Sequence, residues 1–356
     1  MTLIWLALRT ERFLWHSPKR LRFCLLLVLA IILAACQFSS ASNEVVIVYT
    51  SVDQPFAEPI LAEFEQATGI DVLALYDVEA TKTTGLVNRL IAEKDLPKAD
   101  VFWNNEIIQT MALKENGVLA PYVSPNAESI PSAYRDPGGY WTGYAARARV
   151  LIVNTDLVDE PGGVNSIYDL LDPVWPGGQV GIAYPLFGTT ATHAAALYEA
   201  WGPKAARGYF EQLAERGVRV VDGNSVVRDL VANGQLAFGL TDTDDACGAL
   251  ARGAPVAVIL PDQDDLGTLV IPGTVSLIAG APHPEQAKSL IDYLLRSEVE
   301  QALVDARFSH IALHPGVKIA DECISSEAIR AIGVDYIDVY RHLQVVQSEL
   351  REIFLR

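Results

Sequence analysis

The chain has 356 residues, half of them apolar, and a formal net charge of −17. So acidic a surface repels nucleic acid and anionic lipid, which excludes nucleic-acid partners and favours cationic ones. The length exceeds the usual span of one hydrophobic core, so two lobes are expected.

Residues 1–35 carry a basic region ending in Lys19, Arg20 and Arg22, then an apolar run from Phe23 to Leu33. This is the pattern of a secretory signal, and the run is too short for a comfortable membrane span. It closes on "LAAC", which resembles the bacterial lipobox and makes Cys36 the expected lipidated N-terminus. Residues 36–44 read as a small, polar tether that reaches about 30 Å at most, so the folded body is expected close to a membrane, outside the cytoplasm. Residues 1–35 hold five of the 27 Lys/Arg and one of the 44 Asp/Glu, so the mature charge is −21.

From Val45 the sequence alternates short β-rich runs with helical segments. "VVIVYT" predicts a strand, Pro55 opens a helix that Gly69 stops, and "IDVLALY", "TTGLVNRLIAEKD", "ADVFW" and "NEIIQTMALKENG" continue the rhythm. Alternation at this spacing predicts a largely parallel sheet with covered faces. The Pro/Gly/Tyr-rich stretch from Ala120 to Tyr144 reads as an inter-lobe or cleft-edge passage rather than a core element. The rhythm resumes with "RVLIVNT", "QVGIAY", helices after Gly188 and Pro203, "GVRVV", "SVVRDLVANG", "QLAFGLT" and "PVAVILP". "GTLVIPGTVSLIAG" can return to the first lobe, "PHPEQAKSLIDYLLRSEVEQALV" predicts two helices broken near Ser297, and "IDVYRHLQVVQSELREIFLR" predicts a docked amphipathic helix.

The expected lobes are residues 45–144 plus about 273–320, and residues 145–272, with 321–356 as C-terminal helices docked on them. Two α/β lobes joined by repeated crossings suggest a clamshell, with ligands bound outside the carboxyl ends of the strands. Cys247 and Cys323 stand 76 positions apart, which leaves their pairing open.

"VVIVYTSVDQPFAEPILAEFEQATGIDV", "ADVFWNNEIIQTMALKENGVLAPY", "GNSVVRDLVANGQLAFGLTDTDDA" and "GAPHPEQAKSLIDYLL" together resemble the ferric-iron-type periplasmic binding proteins of ABC importers. The resemblance covers nearly all of the mature chain. It implies the type II periplasmic-binding-protein clamshell, each lobe a mainly parallel sheet flanked by helices. It also implies a monomeric solute-binding lipoprotein, without a reaction or resident cofactor of its own, that serves an ABC permease and its ATPase. In ferric-binding members two adjacent tyrosines, a histidine and a glutamate hold the metal. On this sequence the tyrosine pair falls on Asp244 and Asp245, the histidine on Asp53, and the glutamate on Asn105 with Glu106 beside it. Phenolates select Fe³⁺, whereas carboxylates suit hard cations generally and ammonium groups too. The metal candidates are therefore Asp53, Asp244 and Asp245.

The anion side of the predicted cleft is Gly188, Thr189 and Thr190 at one helix start and Asn224 with Ser225 at another, where free N–H groups favour a phosphate, phosphonate or carbonate. Arg147 or Arg149 of "ARARV" is expected to clamp an anion, with both on one face of a strand and at least one of them solvated. A plainer reading stays open for the acids: Asp242 caps a helix with Asp244 and Asp245 in its first turn, and Asp53 caps the Pro55 helix. The loop lacks the sixth-position glycine and twelfth-position glutamate of an EF-hand. Glu79, Thr81, Thr83 and Tyr144 are cleft candidates, Trp103 is a core aromatic, and His193, His283 and His314 form no i, i+4 ligand pair.

Three functions follow. The first is capture of Fe³⁺ with a synergistic anion, or of a related small solute. The second is binding of an amine-bearing organic anion such as an aminophosphonate, with Asp244 and Asp245 at the cationic end. The third is a secreted metal-assisted hydrolase, against which stands the lack of a G-x-S-x-G elbow, an H-E-x-x-H or a P-loop.

Overall fold

A computed structural model describes residues 44–77, 84–319, 323–324 and 329–355. The signal segment, Cys36, most of the tether, Glu79, Thr81 and Thr83 lie outside the described residues.

The first half builds strands β1 (Val45–Thr50), β2 (Asp71–Tyr76), β3 (Val101–Asn104) and β4 (Leu119–Ala120) around helices α1 (Gln54–Thr68), α2 (Thr84–Ala92) and α3 (Ile107–Glu115). Pro55 lies in the first turn of α1, where its missing N–H costs nothing. Gly69 ends the helix at φ 75°, its N–H bonding the carbonyl of Glu65 at 2.8 Å. A left-handed residue here satisfies the last carbonyls, and glycine adopts it without strain.

A long strand β5 (Thr142–Asn154) follows, then β6 (Val180–Ala183), α4 (Gly188–Trp201), α5 (Pro203–Glu215), β7 (Arg219–Val221), α6 (Asn224–Ala232), β8 (Phe238–Asp242), α7 (Thr243–Ala251) and β9 (Val256–Ile259). The chain closes with β10 (Val270–Ile278), α8 (Pro284–Leu294), α9 (Ser297–Asp305) and α10 (Tyr336–Phe354). The two helices broken near Ser297 and the C-terminal helix form as the sequence predicts.

The strands run in the order β2-β1-β3-β10-β5-β8-β6-β7, with β4 beside β10 and β9 beside β5. The expected parallel pairing holds for β1 with β2 and β3, and for β6 with β7 and β8. β5, β9 and β10 pair antiparallel, so the sheet is mixed where the sequence reading had it largely parallel: apolar runs report burial on both faces, not strand direction. β5 joins the two halves of the sheet, pairing with β10 from Thr142 to Ala148 and with β8 from Arg149 to Val153.

The stretch from Ala120 to Tyr144 is a correction too, since it places Ala127, Ile130 and Trp141 in the core. Just beyond it, Ala145 adopts φ 36° inside β5. The buried carboxylate of Glu300 on α9 fixes this point, accepting the N–H groups of Ala145 (2.7 Å), Leu313 (2.8 Å) and His314 (2.7 Å). Burial raises the Glu300 carboxyl, but the His314 ring and these N–H groups outweigh it and hold it below the usual carboxylate range. Helix α10 buries Val339, Val346 and Leu350, bonds α4 through Tyr198 and Glu349 at 2.8 Å, and pairs with α3 through Arg341 and Glu115 at 3.0 Å.

Candidate functional site

β8 ends on Asp242 and α7 begins at the next residue, which gathers the carboxylates of Asp242, Asp244 and Asp245 within 4.8 Å of one another. Like charges so close repel unless each is compensated. Here each acid meets an arginine. Arg149 of β5 binds Asp242 at 2.6 Å, Arg147 of β5 binds Asp244 at 3.3 Å, and Arg228 of α6 binds Asp245 at 2.8 Å. Arg147 and Arg149 are two residues apart on one strand, so both face the acids.

Asp242 holds the N-cap position of α7 but makes no capping bond. It is buried instead, and accepts from Arg149, from the Thr189 hydroxyl at 2.6 Å and from Asn224 Nδ2 at 3.0 Å. Arg149 is wholly buried, and its Nη1 also reaches Thr189 (3.2 Å) and the Asn224 carbonyl (3.0 Å), while its Nε and Nη2 have no protein partner among the described residues. Thr190 donates to the same Asn224 carbonyl at 3.2 Å. The hydroxyls of the predicted anion subsite are thus already engaged, and what helix geometry leaves there is the first N–H groups of α4 after Gly188. His193, one turn on, is pushed down to about 3 by burial and then by the Arg149 charge, so it is neutral and structural.

Asp245 is pushed up to about 6, by burial first and then by Asp244 and Asp242, with Arg228 and Arg149 opposing. It is therefore partly protonated near pH 6, and the trio is a weaker cation socket than its count suggests. Burial alone would lower the Arg147 guanidinium, but Asp244, Asp242 and Glu106 outweigh it and hold its proton more firmly. The Oδ1 atom of Asp244 is buried without a hydrogen-bond partner among the described residues.

Among the other candidates, Glu106 caps α3, accepting from the N–H groups of Ile108 (3.0 Å) and Gln109 (3.3 Å), and takes the Thr192 hydroxyl of α4 at 3.2 Å. Burial pushes its carboxyl up against these bonds. Asn105 is held by Ser51, whose hydroxyl donates to Asn105 Oδ1 at 3.1 Å. Asp53 stands exposed at the N-cap of α1 without a capping bond and is outside the close carboxylate trio. Trp103 and Tyr144 are buried together, ring centroids 6.0 Å apart, and burial pushes the Tyr144 phenol up, so it offers no phenolate. His283 pairs with Asp100 and His314 with Glu300.

Three points depart from the sequence reading. Neither β5 arginine is left to solvent, Asp242 is an ion-pair partner rather than a cap, and Arg228 belongs to the cluster although nothing in its local sequence distinguishes it. Cys247 of α7, two residues beyond Asp245, forms a disulfide with Cys323.

Two α/β half-sheets joined by long strands, with candidate ligand groups at strand ends and helix starts, have the arrangement of a two-sided binding fold. Residues 97–339 match the family model of bacterial extracellular solute-binding proteins, and the chain belongs to that family. It is 26% identical over 266 residues to Iron uptake protein A1 of Synechocystis sp., covering 71% of this chain and 72% of that protein. Over 283 residues it is 24% identical to the Fe(3+)-binding periplasmic protein of Serratia marcescens, covering 78% and 81%. Its fold is that of Trichodesmium IdiA/FutA, solved with iron and citrate ligands: TM-score 0.78, 21% identity, 88% of this chain and all of that one.

Proposed function

We propose that this protein is the extracytoplasmic receptor of an ABC importer and captures ferric iron as a complex with a small anion, for delivery to the permease and its ATPase. The observation that carries the reading is the carboxylate trio at the start of α7, the stretch on which the resemblance to ferric-binding proteins lays their metal-binding tyrosines. The three arginines decide the form of the cargo. A bare trivalent ion would compete with three guanidinium groups for three carboxylates, whereas a metal that arrives with an anion can exchange charge with both partners. Asp244 and Asp245 then face the metal, and Arg147, with the N–H groups after Gly188, faces the anion. Asp53 and Glu106 are outer contributors in this reading, and Asn224 and Thr190 support the anion side. Cys36 as a lipid anchor, the tether and a monomeric body belong to the same proposal.

Native mass spectrometry of residues 37–356, purified without chelator and examined with and without ferric citrate, tests it. One bound iron with an anion supports it, and a protein indifferent to iron removes it. Asp244→Asn with Asp245→Asn is expected to weaken binding of the ferric complex by about 1–3 kcal/mol with the fold retained by circular dichroism, because the complex loses two charged partners, Asp245 mostly buried and Asp244 partly screened by solvent. Unchanged affinity reduces both acids to helix-start residues.

One observation favours a second reading. The unpartnered Oδ1 of Asp244 would be satisfied by an ammonium group, so an amine-bearing organic anion such as an aminophosphonate also suits the pairing of Asp244 with Arg147. In the same mass measurement that solute gives an organic adduct without iron.

A further inference from the structure

Beside Asp244 lies a cavity of about 160 Å³ between α7 and the turn that follows α9. By the volume a water occupies in the liquid, this holds about five waters or a small organic group. Its polar lining is Asp244, Arg307, Ser309 and His310, and Leu250, Val304 and Ile319 are among its apolar lining. The Cys247–Cys323 disulfide also lines it and ties α7 to the C-terminal segment, so the chamber is preformed.

Two of these polar side chains, Arg307 and His310, are ones that the fold leaves unpaired among the described residues, and Asp244 is held by Arg147 through Oδ2 alone. The Arg307 side chain makes no hydrogen bond or ion pair among the described residues, nor does the His310 ring. Arg307 is also in the left-handed region, at φ 61°. Its N–H bonds the carbonyl of Val304 at 2.9 Å and the next N–H bonds Leu303 at 2.9 Å, a helix ending normally made with glycine. A glycine would relieve the strain but remove the guanidinium from the chamber, and strain of this kind collects at ligand sites. The buried Oδ1 of Asp244 completes the set with an unused acceptor.

From this arrangement we infer that the chamber receives the organic body of a carboxylate-bearing chelator, its acid end on Arg307 and His310, its carbon skeleton on the apolar wall. The inference rests on the ferric-complex reading and narrows it: the solute is an organic chelate, not iron with an inorganic anion. An inorganic anion needs oxygen and nitrogen partners on every side, and an apolar wall offers it nothing.

The test compares the wild-type mature chain with Gly248→Leu and Arg307→Gln, each titrated calorimetrically with ferric citrate, citrate alone, and ferric ion in bicarbonate. At Gly248 a Cβ meets only the flexible Arg252 side chain, at 3.3 Å, so the leucine fits the helix and fills the chamber. Arg307 is exposed, so its replacement leaves the core intact. Thermal melts check both folds. Ferric citrate is expected to bind the wild type at least about tenfold more tightly than ferric ion in bicarbonate, and each variant to lose about tenfold or more for ferric citrate alone. Equal binding of ferric citrate by all three proteins overturns the chamber, and so does a wild type that makes no distinction between the two ferric forms. A wild type that takes citrate but no ferric form, with citrate binding lost in Gly248→Leu, keeps the chamber and removes the iron reading. Binding of none of the probes overturns both.

Discussion

Arg149→Met is expected to lower the unfolding free energy by about 3–5 kcal/mol, read from urea denaturation followed by circular dichroism. Arg149 is wholly buried and Asp242 nearly so, and the pair stands at 2.6 Å. Methionine nearly matches the length of the arginine stem, so packing survives, but Asp242 keeps its charge and loses the strongest of its donors. Thr189 and Asn224 still donate to it, which limits the loss. Adding Asp242→Asn should recover part of it, because the uncompensated charge is then gone. A single-variant loss under about 1 kcal/mol would place the guanidinium among groups the fold can spare.

The second large effect concerns the disulfide. Replacing Cys247 and Cys323 with serine is expected to cost about 2–5 kcal/mol, since the cross-link closes a loop between positions 76 residues apart and so restricts the unfolded chain. The guanidinium midpoint of the wild type should fall to that of the double variant when a reducing agent is added, and the variant should not respond. Coincident midpoints in the absence of reductant would mean that the cross-link adds nothing to stability.

Much of the architecture is readable from local pattern. The Gly69 stop, the Pro55 start, the break near Ser297 and the C-terminal amphipathic helix each rest on residues within one or two turns of each other, and all four occur. The close carboxylate trio is legible for the same reason, being four consecutive positions at a strand-to-helix junction. What the pattern could not supply is pairing at a distance. The Arg149–Asp242 contact spans 93 positions and the Arg147–Asp244 contact 97, and no periodicity of β5 says which carboxylate meets which guanidinium. Strand direction is hidden for the same reason, since β5 and β10 are buried on both faces and read alike in either orientation. The cysteine pairing also needed the fold, because only that brings α7 beside the segment after α9.

The matched arginines and aspartates have a kinetic consequence. Six formal charges cancel within the cluster, while the mature chain around it carries −21. An anionic complex diffusing inward is thus opposed by the exterior, and attraction begins only within about one Debye length, roughly 8 Å at physiological ionic strength. Salt therefore quickens its arrival instead of slowing it, and a receptor of this kind captures faster in brine than in fresh water.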